Sequence, residues 1–194
     1  MATVTALATL RAIEDDWQTI FDPAMRIVID HTTLMLTPAQ AQVLLGAAPF
    51  GHSISGEPDQ LLAQLPAMPG ALADGIIVLA GRFADLMSCE TVRLRFEGII
   101  GNACRKVHAD YTDLRLICTL AGPGTDYTLG DDPDGPLMRI PTGAAALFKG
   151  REFGSGHAAC LHRSPPIDGT GGKRLVLVID TPAKPHLTPH GIEA

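Results

Sequence analysis

His108-Ala109-Asp110 is the first place in this sequence where residue types and spacing suggest chemistry. On an extended strand, residues two apart face the same side. The imidazole and the carboxylate can then take neighbouring positions on one divalent cation. A third donor must come from elsewhere, and His162 is the candidate. It follows a strand-like stretch and precedes the rigid turn Ser164-Pro165-Pro166. Two histidines and one carboxylate on one face of a metal leave further positions open, the facial arrangement that suits Fe(II). Zinc accepts the same three donors with water in a fourth position. His108, Asp110 and His162 are therefore expected to be both the metal ligands and the catalytic centre.

An arginine near such a centre has a defined use, because its planar guanidinium binds a carboxylate through two parallel hydrogen bonds. Arg174 opens the β-forming run Arg174-Leu175-Val176-Leu177-Val178-Ile179-Asp180. It is the expected anchor for the far carboxylate of a 2-oxo acid that chelates the metal. Lys173 would face the other way. Arg115 and Thr119, on the strand after the His-x-Asp, are further candidates for co-substrate contact, and either Cys118 or Thr119 faces inward. Arg163 could support the site or reach substrate. His157 is a spare ligand candidate, Tyr111 is expected in the core, and His31, His52, His186 and His190 look peripheral. Gly122-Pro123-Gly124-Thr125 could cradle an anion, although a turn is the simpler reading. The four cysteines, Cys89, Cys104, Cys118 and Cys160, include no C-x-x-C pair and read as reduced thiols, mostly buried.

These groups need a scaffold. Apolar residues recur in steps of four and three at Leu72, Ile76, Leu79, Phe83 and Leu86, which predicts a helix over 71–87 packed on a sheet. Thr37 as N-cap with Pro38 behind it predicts a short helix to Leu45, and Pro58 opens another between Glu57 and Leu65. Strict alternation in Thr91–Glu97 is the period of a strand with one face buried. Further strands are expected at 106–111, 114–120, 144–148, 157–161 and 174–180, separated by Gly/Pro turns. Many short strands with such turns indicate a sandwich or barrel.

The 194 residues suit a single domain: a helix-rich support over 1–90, a β core carrying the metal site over 91–181, and an extended tail over 182–194. Hydrophobic residues at 46 % and charged residues at 19 % exclude a disordered chain. A net charge of -6 argues against nucleic acid or an anionic membrane as partner. The N-terminus has no basic start and apolar run of a signal peptide, and no apolar stretch reaches the roughly 20 residues needed to span a bilayer. A cytoplasmic protein acting on a small molecule or peptide is expected, with a homodimer left open.

The blocks Cys104-Arg105-Lys106-x-His108-x-Asp110-Tyr111, Leu114-Arg115-Leu116, Gly122-Pro123-Gly124-Thr125 and His162-Arg163-Ser164-Pro165-Pro166 resemble those of an uncharacterised bacterial family of unknown function. Remotely, over about 104–180, the order His-x-Asp, a Pro/Thr-Gly strand ending in Phe, His, then Arg is similar to Fe(II)/2-oxoglutarate dioxygenases of the phytanoyl-CoA hydroxylase-like type. That resemblance implies an α+β, mainly β fold: a double-stranded β-helix barrel of jelly-roll or cupin type, with N-terminal helices packed outside. It also implies Fe(II) on His108, Asp110 and His162, and 2-oxoglutarate on Arg174. The alternative is a non-redox, cupin-like zinc protein of metal homeostasis. A zinc hydrolase comes behind both, since no general-base carboxylate lies near the triad in sequence.

Overall fold

The computed structural model describes residues 17–31, 34–102 and 104–182. The expected tail therefore lies outside the described residues, apart from its first position. The architecture is mainly antiparallel β. Strands β1 (Ile27–Asp30), β2 (Phe50–Gly56), β3 (Val92–Ile99), β4 (Leu114–Ala121), β7 (Ala145–Lys149) and β9 (Arg174–Asp180) form one six-stranded sheet in the order β1-β7-β4-β9-β3-β2. Strands β5 (Asp126–Thr128), β6 (Met138–Arg139) and β8 (Leu161–Arg163) form a second, in the order β6-β5-β8. Helices α1 (Pro38–Gly46), α2 (Pro58–Leu61) and α3 (Gly70–Met87) complete the described elements, with short 3₁₀ turns at Trp17–Phe21 and Leu62–Gln64.

Side-chain parity builds the layers. Leu94 and Phe96 of β3, Leu116 and Cys118 of β4, Leu147 of β7, and Leu175, Leu177 and Ile179 of β9 share one face of the large sheet. The predicted stripe of α3 packs there, with Ile76 and Phe83 fully buried. Each such side chain contributes on the order of 1.5–3 kcal/mol by leaving water. The opposite face carries Ile117, Ala146, Phe148, Val176 and Val178, which pack against Tyr127, Ile140 and Cys160. Burial on both faces explains why every residue of β9 is buried.

Local signals acted as the residues dictate. Thr37 caps α1 through a reciprocal pair with Gln40, Oγ1 accepting from the Gln40 N–H and Gln40 Oε1 accepting from the Thr37 N–H. Four expectations need correction. The strands form two open sheets among the described residues instead of a closed barrel. The stretch read as helix-rich also supplies β1 and β2, on the two edges of the large sheet. Residues 106–111 form no strand: their one ladder contact is an isolated antiparallel bridge between His108 and His162, and the strand expected at 157–161 starts only at Leu161.

Candidate metal centre

The bridge that replaces a strand is what assembles the site. The His108 N–H donates to the His162 carbonyl at 3.0 Å, and the His162 N–H donates to the His108 carbonyl at 2.8 Å. Directly paired residues project their side chains from the same side of a ladder, and the two imidazole centroids lie 4.9 Å apart. β5 holds β8 in register, with Tyr127 opposite His162. Phe148 lies against the His162 ring at 4.7 Å. The 150–152 turn holds Asp110, whose carbonyl accepts from the Arg151 N–H at 2.8 Å.

His108, Asp110 and His162 each present a donor atom, and the three atoms lie within 4.8 Å of one another. His108 Nε2 is 3.4 Å from Asp110 Oδ1, and His162 Nε2 is 3.1 Å from Asp110 Oδ2. Both Nδ1 atoms face backbone carbonyls, His108 that of Lys106 at 2.8 Å and His162 that of Cys160 at 3.2 Å. Those partners place a proton on Nδ1, so in the neutral imidazole each Nε2 presents a lone pair inward. Asp110 Oδ2 is buried with no aligned hydrogen-bond donor, although Arg115 Nη1 stands 2.7 Å away. With both imidazoles neutral, three acceptors converge, an arrangement that a cation satisfies. Contact with Asp110 raises the His108 pKa. Burial alone would raise that of Asp110, but both imidazoles and the Arg115 charge hold it well below the usual carboxylate range.

Arg115 is clamped by Asp180, with Nε and Nη2 donating at 2.6 and 3.0 Å. Burial would lower its pKa, but the Asp180 and Asp110 carboxylates raise it. It thus braces Asp110 and has little free capacity for a co-substrate. Arg174 is different. Sharing the parity of Val176 and Val178, it faces the small sheet, whereas Lys173 turns to the helical side and donates to the Leu45 carbonyl. Arg174 is 1 % exposed. It donates to Pro123 O at 2.8 Å, Ser164 Oγ at 2.6 Å, and Thr119 and Thr125 Oγ1 at 3.1 Å each. All four acceptors are neutral, and burial pulls its pKa down to about 10. The triad, Arg115, Arg174, Ser164 and Thr125 line one cavity of about 120 Å³, floored by Ile117, Val176 and Val178.

Thr119 accordingly orients Arg174. Arg163 leaves the site and binds Asp126 at 3.2 Å. His157 stands beside Lys149 Nζ at 2.9 Å and takes no part in the cluster. Tyr111 is exposed rather than in the core. Cys118 and Cys160 are buried, Cys89 is half-buried, and Cys104 is exposed at the cavity.

Sequence reasoning missed Ser164, Thr125 and Asp180, as well as Glu97, a carboxylate that reaches the cavity from β3. The signal for Thr125 was present in Gly122–Thr125, which wraps the guanidinium, and that for Ser164 in the turn Ser164-Pro165-Pro166. Gly122 has φ +82°, and a Cβ there would collide with the Lys173 carbonyl.

Over residues 35–180 the chain matches the family described as protein of unknown function (DUF1826), and it belongs to that family. No curated protein matches it. Among solved structures it is similar to a Pseudomonas putida prolyl-4-hydroxylase at 14% identity, covering 89% of this chain and 98% of that one, with a TM-score of 0.47. It is also similar to a full-length Neurospora crassa protein in complex with alpha-KG, at 13% identity over 92% and 79% of the two chains with a TM-score of 0.41. A third likeness is to Arabidopsis thaliana dioxygenase for auxin oxidation 1 bound to 2-oxoglutarate, at 16% identity over 89% and 77% with a TM-score of 0.41. These TM-scores are too low to carry an activity across to this chain. Among the described residues no helix is long and apolar enough to cross a membrane.

Proposed function

We propose that this chain is a non-haem Fe(II)-dependent oxygenase that uses 2-oxoglutarate, built on an opened variant of the double-stranded β-helix. The observation that carries the reading is Arg174. It is a buried guanidinium with no carboxylate partner among the described residues, and it lines the same cavity as the His108, Asp110, His162 cluster. Burying a cation against neutral acceptors alone is costly, and an incoming carboxylate removes that cost. Thr119, Thr125 and Ser164 accept from Arg174 and keep their own hydroxyl protons, which can turn to the same carboxylate.

The donor set fits the metal. Two neutral imidazoles and one carboxylate leave positions for both chelating atoms of a 2-oxo acid and for dioxygen. Fe(II) bound there would supply the redox chemistry that protein side chains lack. The chain's own work is to present the two Nε2 lone pairs through the Lys106 and Cys160 carbonyls, to brace Asp110 with Arg115, and to fix the co-substrate's far end on Arg174. A zinc protein without redox chemistry would use the triad and leave Arg174 without a role.

Protein purified without oxygen and loaded with Fe(II) tests the reading. One iron per chain is expected, with a weak visible charge-transfer band on addition of 2-oxoglutarate. Absence of stoichiometric iron and of that band would overturn it.

A further inference from the structure

The triad, Arg174 with its hydroxyls, and Arg115 account for most of the polar cavity wall; Arg95 and Glu97 on β3 remain. Val92, Leu94 and Phe96 of that strand point to the helices, so Arg95, Glu97 and Ile99 face the cavity. Pairing with β9 sets them opposite Val178, Val176 and Arg174 respectively, beside the apolar floor. Their charges are poorly satisfied. Arg95 Nη1 reaches Glu97 Oε1 at 3.3 Å, Nη2 stands 3.6 Å from Asp180, and Nε is buried without a partner. Half-satisfied charges on a cavity wall favour a ligand that completes them.

Charge balance narrows the ligand. Arg95, Arg115 and Arg174 are offset by Glu97, Asp110 and Asp180. A metal dication and a dianionic 2-oxo acid cancel in turn. A further ligand with net charge would then be held uncompensated in a part-dry site, while an apolar one would leave Arg95 and Glu97 with only their long contact to each other and that of Arg95 to Asp180.

Resting on the oxygenase reading above, we infer that the primary substrate is a small zwitterion, a free α-amino acid. Its carboxylate pairs with Arg95, its ammonium pairs with Glu97, and its aliphatic part lies over Ile99, Val176 and Val178.

The test uses the full chain loaded with Mn(II) and 2-oxoglutarate, titrated calorimetrically with a panel of free amino acids, with leucinamide and with N-acetyl-leucine. Leucine or another aliphatic amino acid is expected to bind roughly ten- to a hundredfold tighter than either singly charged derivative, the effect of leaving one charged partner unpaired. Glu97→Gln should remove the discrimination against N-acetyl-leucine and Arg95→Gln that against leucinamide, with 2-oxoglutarate binding unchanged in both. The inference is overturned if no free amino acid binds, if a singly charged derivative binds equally well to the unaltered protein, or if either variant keeps full discrimination, in each case with 2-oxoglutarate still bound. Failure of 2-oxoglutarate itself to bind sinks the oxygenase reading and this inference with it.

Discussion

Replacing Arg174 with methionine separates its structural role from its binding role. The change removes four hydrogen bonds to neutral acceptors, at 2.6–3.1 Å, each with a net value of about 1 kcal/mol. It also removes a charge that the fold tolerates poorly. The fall of the Arg174 pKa to about 10 means that the folded state disfavours the charged form relative to the unfolded chain, by about 3 kcal/mol. The sign is that of a cation whose folded pKa is depressed, so neutralising it returns that amount. The two contributions nearly cancel, and Arg174→Met should shift Tm by only a few degrees. For the co-substrate nothing cancels. Its far carboxylate would lose its one buried cation, which costs about 3 kcal/mol, on the order of a hundredfold in Kd. Anaerobic titration of the Fe(II) protein with 2-oxoglutarate, followed at the charge-transfer band, measures that change, and a separate metal titration serves as control. Metal affinity should hold within about threefold, since Arg174 touches none of the three ligands. An unchanged 2-oxoglutarate Kd, or a parallel collapse of metal affinity, would refute the reasoning.

His108→Ala should abolish one-to-one metal binding, because it removes one of three converging donors; calorimetry showing retained stoichiometric binding would refute the assignment. Asp110→Ala should weaken metal binding far more than Asp113→Ala, whose carboxylate caps the Leu114 N–H and accepts from Thr181 instead; equal effects in the same titration would count against the site. At pH 8 a soluble disulfide reagent should label Cys104 fast and leave Cys118 and Cys160 unreacted, since burial pushes both of the latter up to about 12. Loading with Mn(II) and 2-oxoglutarate should slow the Cys104 reaction, as Cys104 lines the same cavity. Gly122→Ala is strained at φ +82° and collides with the Lys173 carbonyl; a loss of about 2 kcal/mol or more in denaturant unfolding is expected, with weaker 2-oxoglutarate binding as Arg174 is displaced.

Elements were legible where one physical pattern ruled. The α3 stripe, the β3 alternation and the Thr37 cap each satisfy a local rule within a few residues. β2 was hidden because Phe50–Gly56, FGHSISG, carries little β-branched or apolar content. It is a strand because β3 offers it seven paired positions, a tertiary effect that no window along the chain contains. β1 is only four residues long and mostly buried, so it has no alternation to read. The expected strand over 106–111 failed for the opposite reason. Its residues look extended, but Asp110, Thr112 and Asp113 give their carbonyls to the 150–152 turn, and only His108 keeps a ladder partner.

The site was readable in its donors and not in its supports, and the physics of each explains the division. Ligands announce themselves by residue type, and strand parity alone puts Arg174 and Lys173 on opposite sides of β9. Supports act through register. Asp180 reaches Arg115 only because β4 and β9 pair those two positions, and Glu97 reaches the cavity only because β3 pairs with β9 on its other side. A shift of β9 by one residue would turn Arg174 toward the helices and Leu175 toward the candidate metal site, while leaving every proposed ligand in the sequence untouched. Close contact of Gly122 with Lys173 and Arg174, and the hold of Pro123 and Thr125 on the guanidinium, oppose that slip. Gly122–Thr125 is therefore more than a turn between strands: it locks the register on which the proposed co-substrate site depends.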